Sequence, residues 1–472
     1  MHLPSYKEAI VRKKDYKFVN YEIDKNYVGK YSGKKYFLKT YGCQMNEHDS
    51  ENIKAMLEEL GFSETEDYMD ADLVLLNTCS IRENAHNKAF GMLGRFKHLK
   101  ADKPELVVGI CGCMAQEVGV VDEIMKKYKF VNFVFGTHNL YRLPYIIDKA
   151  IMEGKQEIEV FSKEGDLIED IPVRRASRYK AYVNIIYGCD KFCTYCIVPY
   201  TRGGERSRRR EDILREVEKL VQDGYKEVTL LGQNVNAYGK DLYDDYGLGE
   251  LLEDVSKTNI PRIRFTTSHP WDFTDKMIEV ISKYPNIMPS IHLPLQSGSS
   301  RILKLMGRRY TKESYLELFD KMKEKIKDVT ISTDIIVGFP GETEEDFLET
   351  LDVVNHCKYD NSFTFIYSPR ENTPASRLKD DIALSVKEER LQRLNNLVNK
   401  YFLEKNKKLE GTIQEVLVEG KSLKKDDCYY GYTKTNKLVN FTGCDINEGD
   451  IVLVKITEAK TWSLDGKLFE SE

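Results

Sequence analysis

Four times before Cys196, an apolar strand runs directly into a cysteine. Residues 36–40 lead to Cys43, 72–76 to Cys79, 106–110 to Cys113 and 180–186 to Cys189. Between these strands the apolar residues fall at helical spacing. Ile53, Met56, Leu57 and Leu60 do so over 47–60, and Gly61 stops the run. Strand–helix alternation with near-continuous apolar strands predicts parallel sheet covered on both faces. A further strand is expected over 131–135, before Gly136. In such sheets ligands gather in the crevice at the carboxyl ends of the strands. Cys43, Cys79 and Cys113 therefore meet at one edge although they lie far apart in sequence. The competing reading is three small buried hydrophobes, a common fate of free cysteine. Cys111 stands two residues before Cys113, and spacing does not choose between them.

The fourth cysteine opens a different pattern: Cys189, Cys193 and Cys196 are spaced C-x3-C-x2-C within one loop. Thiolates suit zinc and iron–sulfur clusters. A closed zinc site takes four protein ligands, and an ordinary 4Fe-4S cluster takes four thiolates. Three cysteines without a fourth ligand nearby predict a cluster with one iron left open, where a substrate binds. A fragment of a zinc site is the alternative. Cys357, Cys428 and Cys444 lack partners at ligand spacing and read as buried hydrophobes.

A chain of 472 residues exceeds one ordinary core and predicts two or three domains. With 41% hydrophobic and 31% charged residues it has the composition of a soluble globular protein. No apolar run reaches the length of a membrane span, and the polar, Lys-rich first 35 residues have no signal core. These features predict a cytoplasmic protein with no membrane partner. There the ten cysteines serve metal or redox duty rather than disulfides. The net charge of −5 is not that of a basic nucleic-acid binder, so any RNA contact rests on local patches. The densest basic patch is Arg202, Arg206, Arg208, Arg209 and Arg210. It suits phosphate contact or a grip on a carboxylate. The alternative is a solvated helix start, partly neutralised by Glu205, Glu211 and Asp212.

Residues 1–35 read as an extension and 154–178 as a polar linker. Beyond the linker, strands are expected over 181–186, 227–231, 262–266, 290–293, 329–333 and 362–366, with helices between them such as 211–222 and 344–356. Six strand–helix units predict a partial or complete (β/α) barrel, with the cysteine loop at the end where barrel sites lie. A long charged helix over 383–409 precedes short strands over 412–418, 429–433, 437–440 and 451–457, with turns at 447–450 and at Asp465-Gly466. So few strands close most simply as a small β-barrel. Tyr429, Tyr430, Tyr432, Lys434, Lys437 and Phe441 form either an RNA-binding face or its core.

Several segments together carry a family resemblance. They are Tyr41-Gly42-Cys43-Gln44-Met45-Asn46, Asn77-Thr78-Cys79-Ser80-Ile81-Arg82-Glu83 and Gly112-Cys113-Met114-Ala115-Gln116. With them stand the Cys189–Cys196 loop continued through Pro199 to Arg208, Gly232-Gln233-Asn234-Val235-Asn236, residues 292–298 and residues 333–342. From about Tyr36 to the C-terminus the chain resembles the methylthiotransferase branch of the radical S-adenosylmethionine (SAM) enzymes. The terminal barrel looks like the TRAM module of RNA-modifying enzymes.

The resemblance implies an α/β protein in parts: an N-terminal parallel-sheet domain over 36–153, a radical SAM partial barrel over 175–405 and a TRAM-like barrel over 408–472. It implies two 4Fe-4S clusters, one on Cys189, Cys193 and Cys196 holding SAM, the other on Cys43, Cys79 and Cys113, in preference to Cys111. Gln233, Asn234, Gln296, Ser297, Asp334 and Arg206 offer polar groups for SAM, and Gly338 and Gly341 a close backbone approach to its adenine; a turn or cap role is the alternative at each. No catalytic side chain is implied beyond the clusters and SAM. His269 is a candidate pocket residue or a structural histidine beside a turn.

The family has three main branches. The wording around Cys43 and Cys79 looks like the one that methylthiolates C2 of an isopentenyl-type adenosine, N6-dimethylallyladenosine at position 37 of tRNA. Sulfur then comes from the auxiliary cluster and methyl from SAM. The implied partners are the tRNA anticodon stem-loop and an electron donor such as a flavodoxin or ferredoxin. The alternatives are threonylcarbamoyladenosine in tRNA or a ribosomal-protein aspartate as substrate. From another class comes a non-catalytic iron–sulfur RNA-binding protein.

Overall fold

The computed structural model describes residues 16–80, 83–161, 165–422 and 427–469. Ile81 and Arg82 of the second cysteine motif lie outside them, as do residues 1–15 of the extension. The chain forms two compact units. One comprises the described residues up to Ala176 with Ile186–Phe192 and Cys196–Arg208. The other comprises Ser177–Ile185, Cys193–Tyr195 and the described residues from Arg209 onward.

The strands of the first unit are β1 (Phe18–Asn20), β2 (Lys35–Tyr41), β3 (Ser63–Glu64), β4 (Leu73–Thr78), β5 (Val107–Gly112), β6 (Phe133–Phe135), β7 (Glu157–Glu159) and β8 (Leu167–Glu169). Six of them form one parallel sheet in the order β3-β2-β4-β5-β6-β7. Alternate residues of β4 point into different cores. Leu73 and Leu75 join a cluster with Ile53, Met56 and Leu57 of the helix Gln44–Glu59 and with Ile146 and Ile147 of the helix Leu143–Glu153. Val74 and Leu76 join Leu93, Phe96 and Ile124 of the helices Glu83–Asp102 and Val118–Lys127. Burial on both faces is why these strands read as unbroken apolar runs.

Two stretches differ from the sequence expectation: the extension over 1–35, which carries β1, and the linker over 154–178. The polar segment 154–178 carries β7, which completes the sheet, and β8, which pairs in parallel with β1. Both strands are three residues long, too short for an alternation to mark them as strands.

In the second unit β9 (Lys180–Asn184) follows. The first unit then contributes β10 (Ile186–Tyr187) and β11 (Arg206–Ser207), an antiparallel pair around the cysteine loop. Then come β12 (Glu227–Leu231), β13 (Arg262–Phe265), β14 (Ser290–His292), β15 (Thr330–Val337) and β16 (Asn361–Ile366). β9, β12 and β13 are parallel neighbours, as are β14, β15 and β16. A bridge between Ile263 and Ile287 joins the two sets. Six strands thus stand in sequence order with helices in the crossovers, a partial (β/α) barrel.

The helix Leu384–Lys407 packs on β16, where Thr364 donates to Asn395 Oδ1 at 2.6 Å. It leads into a closed five-stranded barrel of β17 (Ile413–Lys421), β18 (Cys428–Thr433), β19 (Leu438–Thr442), β20 (Ile451–Ala459) and β21 (Leu464–Leu468). Asp465 and Gly466, expected as a turn, lie inside β21. A Cβ at residue 466 would stand 2.6 Å from Val454 Cγ1, so the glycine is demanded by close packing rather than by a turn. Tyr429 and Phe441 stack at 6.0 Å in the barrel core. Lys434 pairs with Glu415, and Lys437 reaches Asp360. Of the six residues considered for an RNA face, Tyr430 and Tyr432 are thus the half-buried ones without such a commitment of the ring or ammonium.

The small barrel docks on the amino ends of the half-barrel strands. Arg262 donates to Thr433 O at 2.8 Å and to Tyr432 O, and Arg264 donates to Thr433 O at 2.8 Å. Glu227 balances both guanidinium groups at 3.2 and 2.9 Å.

Candidate cluster sites

Three strands of the first sheet each end one or two residues before a cysteine. β2 ends at Tyr41, β4 at Thr78 and β5 at Gly112, so Cys43, Cys79 and Cys113 share the carboxyl edge. An amide network fixes that edge. Asn46 donates to Asn77 Oδ1 at 3.2 Å, while Asn77 donates to Asn46 O and to Ser50 Oγ, both at 2.9 Å. Thr78 donates to Cys111 O at 2.9 Å. The Cys43 amide and thiol both donate to Asn46 Oδ1, at 3.3 and 3.4 Å. Cys43 occupies the N-cap position of the helix, which starts at Gln44 rather than near Glu47. Gly112 has φ +92°, and a Cβ there would stand 2.4 Å from Asn77 Oδ1. The glycine lets β5 close against the network.

A hydrogen bond with Cys79 is the main reason the Cys43 thiol is held down at about 5; burial opposes it and Arg202 assists. Thiolate is the ligand form. Burial pushes the Cys113 thiol up, with the Arg202 guanidinium countering. Cys111 is buried within the apolar core around Leu73 and Phe133, and burial raises its thiol well above the usual range. Arg202 is buried and bonds to Cys113 rather than Cys111: its Nε donates to Cys113 Sγ at 3.1 Å. Its Nη2 donates to Asp49 Oδ2 at 2.6 Å.

The second group lies on the loop between β10 and the short helix Val198–Thr201. In the first unit, Gly188 turns at φ +73°, where a Cβ would meet Gly204 O at 2.0 Å. The Cys189 amide donates to Gly203 O at 3.1 Å. In the second unit, Thr194 donates from N to Met306 O at 2.9 Å and from Oγ1 to Leu305 O at 2.8 Å. Arg308, buried, donates from Nη1 to Cys193 Sγ at 3.3 Å and from Nε to Tyr310 OH at 3.0 Å.

The first group fits an iron–sulfur cluster: its donors are thiols, and a buried guanidinium donates to sulfur. In the second unit the Cys193 thiol likewise accepts from a buried guanidinium. Among the described residues no three Cys, His, Asp or Glu side chains close on a single metal ion. The thiolates of a 4Fe-4S cluster take separate irons and stand further apart than ligands of one ion.

The polar candidates for SAM are distributed unevenly. Gln296, with φ +68°, donates from N to Asp334 O at 2.8 Å and accepts from Ile336 N at 2.9 Å. Asp334 Oδ2 lies 3.3 Å from His292 Nε2, whose Nδ1 is 3.0 Å from Ser332 Oγ. Buried Ser297 accepts from Ser299 N at 3.2 Å. Gln233 and Asn234 follow β12, and Asn234 donates to Asp272 Oδ2 at 2.7 Å. Gly338 and Gly341 turn at φ +70° and +82° after β15. Arg206, in the first unit, donates to Gly165 O at 3.0 Å. His269 Nδ1 accepts from Trp271 N at 3.3 Å, the turn role considered for it.

The basic patch divides: Arg209 and Arg210 stand at the solvated start of the helix Arg210–Gln222, neutralised by Asp212 and Glu211, and the other three do not. Arg202, Arg206 and Arg208 are buried. Arg208 pairs with buried Glu169 at 2.7 Å, and Arg209 with Asp212 at 2.6 Å. Cys357 is buried as expected, but Cys428 is half-buried and Cys444 is exposed in the connection after β19. Sequence reading missed Asp49, Arg308 and the exposed Phe363 and Phe365. By register the two phenylalanines stand beside Asp334 and Ile336 on the open face of β15 and β16. The alternation over 361–366 was the available signal.

The family model described as the Radical SAM superfamily matches residues 183–354. Uncharacterized protein family UPF0004 matches 35–136, and the TRAM domain matches 407–469. The chain is 57% identical over 440 residues to the tRNA-2-methylthio-N(6)-dimethylallyladenosine synthase of Halalkalibacterium halodurans, covering 93% of this chain and 82% of that protein. It is 55% identical over 463 residues to the synthase of that name from Bacillus subtilis, covering 98% and 90%. In fold it is similar to the radical S-adenosylmethionine methyltransferase TsrM of Kitasatospora setae. That match has a TM-score of 0.54 at 13% identity and covers 81% of this chain and 80% of that one.

Proposed function

The chain belongs to the tRNA-2-methylthio-N(6)-dimethylallyladenosine synthase family, and we propose that it converts N6-dimethylallyladenosine of tRNA to its 2-methylthio form. It is a radical SAM enzyme and a tRNA methylthiotransferase. The alternatives, a threonylcarbamoyladenosine or ribosomal-protein substrate and a non-catalytic scaffold, are not favoured by relatives of this identity and coverage. The observation that carries the reading is the group of cysteines at the edge of the first sheet. A radical SAM loop alone serves many reactions, whereas Cys43, Cys79 and Cys113 at one sheet edge provide a separate sulfur-rich site.

The target hydrogen on C2 of adenine is not acidic, so no acid–base side chain displaces it directly. When bound, two 4Fe-4S clusters and SAM supply the one-electron chemistry, the sulfur and the methyl group. The chain's own residues bind, orient and exclude water. Cys189, Cys193 and Cys196 hold the cluster that binds SAM, and Cys43, Cys79 and Cys113 hold the auxiliary one. Arg206, Gln233, Asn234, Gln296, Ser297, Asp334 and Gly338 are assigned to SAM. Of these, Asp334 and Gln296 have the strongest support, because their backbones are bonded to each other and Asp334 lies on the open strand face.

In this reading residues 36–153 serve the auxiliary cluster, 175–405 SAM and 408–472 RNA, after an extension over 1–35. tRNA binds through its anticodon stem-loop, and a flavodoxin or ferredoxin supplies electrons. No helix among the described residues is long and apolar enough to cross a membrane, and the enzyme works in the cytoplasm beside its tRNA.

Nucleoside analysis of tRNA from a strain lacking this gene tests the substrate. Unmethylthiolated N6-dimethylallyladenosine accumulates if the assignment is right; a fully methylthiolated nucleoside rejects it. Purified anaerobically with SAM and a reductant, the protein releases deoxyadenosine, which a scaffold does not.

A further inference from the structure

Arg202 stands six residues beyond Cys196, yet its side chain is committed to the other cysteine group. The guanidinium is buried and makes two defined contacts: Nε to Cys113 Sγ at 3.1 Å and Nη2 to Asp49 Oδ2 at 2.6 Å. Asp49 lies in the second turn of the helix that Cys43 caps and is itself buried. The sulfur, cation and carboxylate therefore form one buried charge array that spans β5, the helix Gln44–Glu59 and the segment after the SAM loop.

A guanidinium beside a carboxylate needs no cysteine to be satisfied. Its Nε–H is nevertheless turned onto sulfur, in a group whose other members, Cys43 and Cys79, are hydrogen-bonded to each other. An N–H donated to a cluster sulfur, and a cation held near it, favour the more negatively charged state of the cluster. Asp49 acts in the opposite sense on the same sulfur while it fixes the fork of Arg202. Arg309, next to Arg308, faces the ring of Trp271 instead, so donation to sulfur is not general to the arginines around these loops.

From this geometry we infer that Arg202 and Asp49 are positioning residues of the auxiliary cluster, Arg202 raising its reduction potential and Asp49 lowering it. The inference rests on the assignment of Cys43, Cys79 and Cys113 to a cluster. It adds that the segment following the SAM loop sets the charge of that cluster. Lysine at 202 keeps the charge but lacks the planar fork that serves Cys113 and Asp49 together.

The test uses the full chain with Cys189, Cys193 and Cys196 replaced by Ala, so that one cluster remains. Iron and sulfide are counted, and the midpoint potential is then followed by electron paramagnetic resonance. In this background Arg202→Gln lowers the reduction equilibrium constant about tenfold, about 59 mV for one electron. Asp49→Asn raises it in the same measure, and Arg202→Lys falls between the parent and Arg202→Gln. A structural role alone predicts no opposed signs. Loss of the cluster from the parent background rejects the cluster assignment itself. A full cluster whose potential is unmoved by Asp49→Asn rejects the tuning role, whether or not Arg202→Gln retains iron. A fall in potential with Asp49→Asn rejects it too.

Discussion

At the residue scale, Cys111 inside β5 and Cys113 just past its end have opposite prospects. Cys113 follows the strand and meets a guanidinium, while Cys111 faces the apolar core. Cys113→Ala is expected to remove the auxiliary cluster, seen as loss of one 4Fe-4S equivalent from the iron count. Cys111→Ala should keep the full iron content and cost about 1 kcal/mol in denaturant unfolding, as loss of a small buried group. The cysteine positions were legible because each sits just past an apolar strand. Their arginine partners were not. Arg202 and Cys113 are 89 residues apart, and Arg308 and Cys193 are 115 apart. No local pattern reports a pair that only the fold brings together. The arginines of 202–210 looked like a basic face because sequence does not show that Asp49 and Glu169 wait for them.

At the scale of elements, the short strands β7 and β8 escaped prediction because three residues carry no readable period and their pairing is supplied by strands distant in sequence. Gly466 misled for a related reason: in a tight five-stranded barrel a glycine makes room for a neighbouring strand. Gly466→Ala should therefore destabilise the barrel by about 1–3 kcal/mol, read from its unfolding midpoint. The docking of this barrel depends on charge buried around Asp360, which Lys405 contacts at 3.0 Å and Lys437 at 3.9 Å. Burial, partly offset by Asp360, lowers Lys405 from 10.5 to about 8. The folded state therefore releases this proton before the unfolded chain does. Between about pH 8 and 10 the unfolded chain binds more protons, so the Lys405 contribution to stability rises with pH. The gain is on the order of 2 kcal/mol. Denaturant midpoints across that range should show it in the parent and lose it in Lys405→Met.

At the scale of the molecule, the half-barrel carries the small barrel at the amino ends of its strands. Arg262 holds that junction through Thr433 O and Glu227. Replacing it with Ala leaves Glu227 buried with one partner fewer. The expected loss is about 3 kcal/mol in denaturant unfolding, a size associated with breaking a buried pair. The central claim is that one chain holds two independent clusters, one for SAM and one for sulfur. Iron and sulfide counting on the Cys189→Ala, Cys193→Ala, Cys196→Ala protein, reconstituted anaerobically, tests it most directly. One 4Fe-4S equivalent per chain should remain on Cys43, Cys79 and Cys113; a protein left with no cluster would contradict the account.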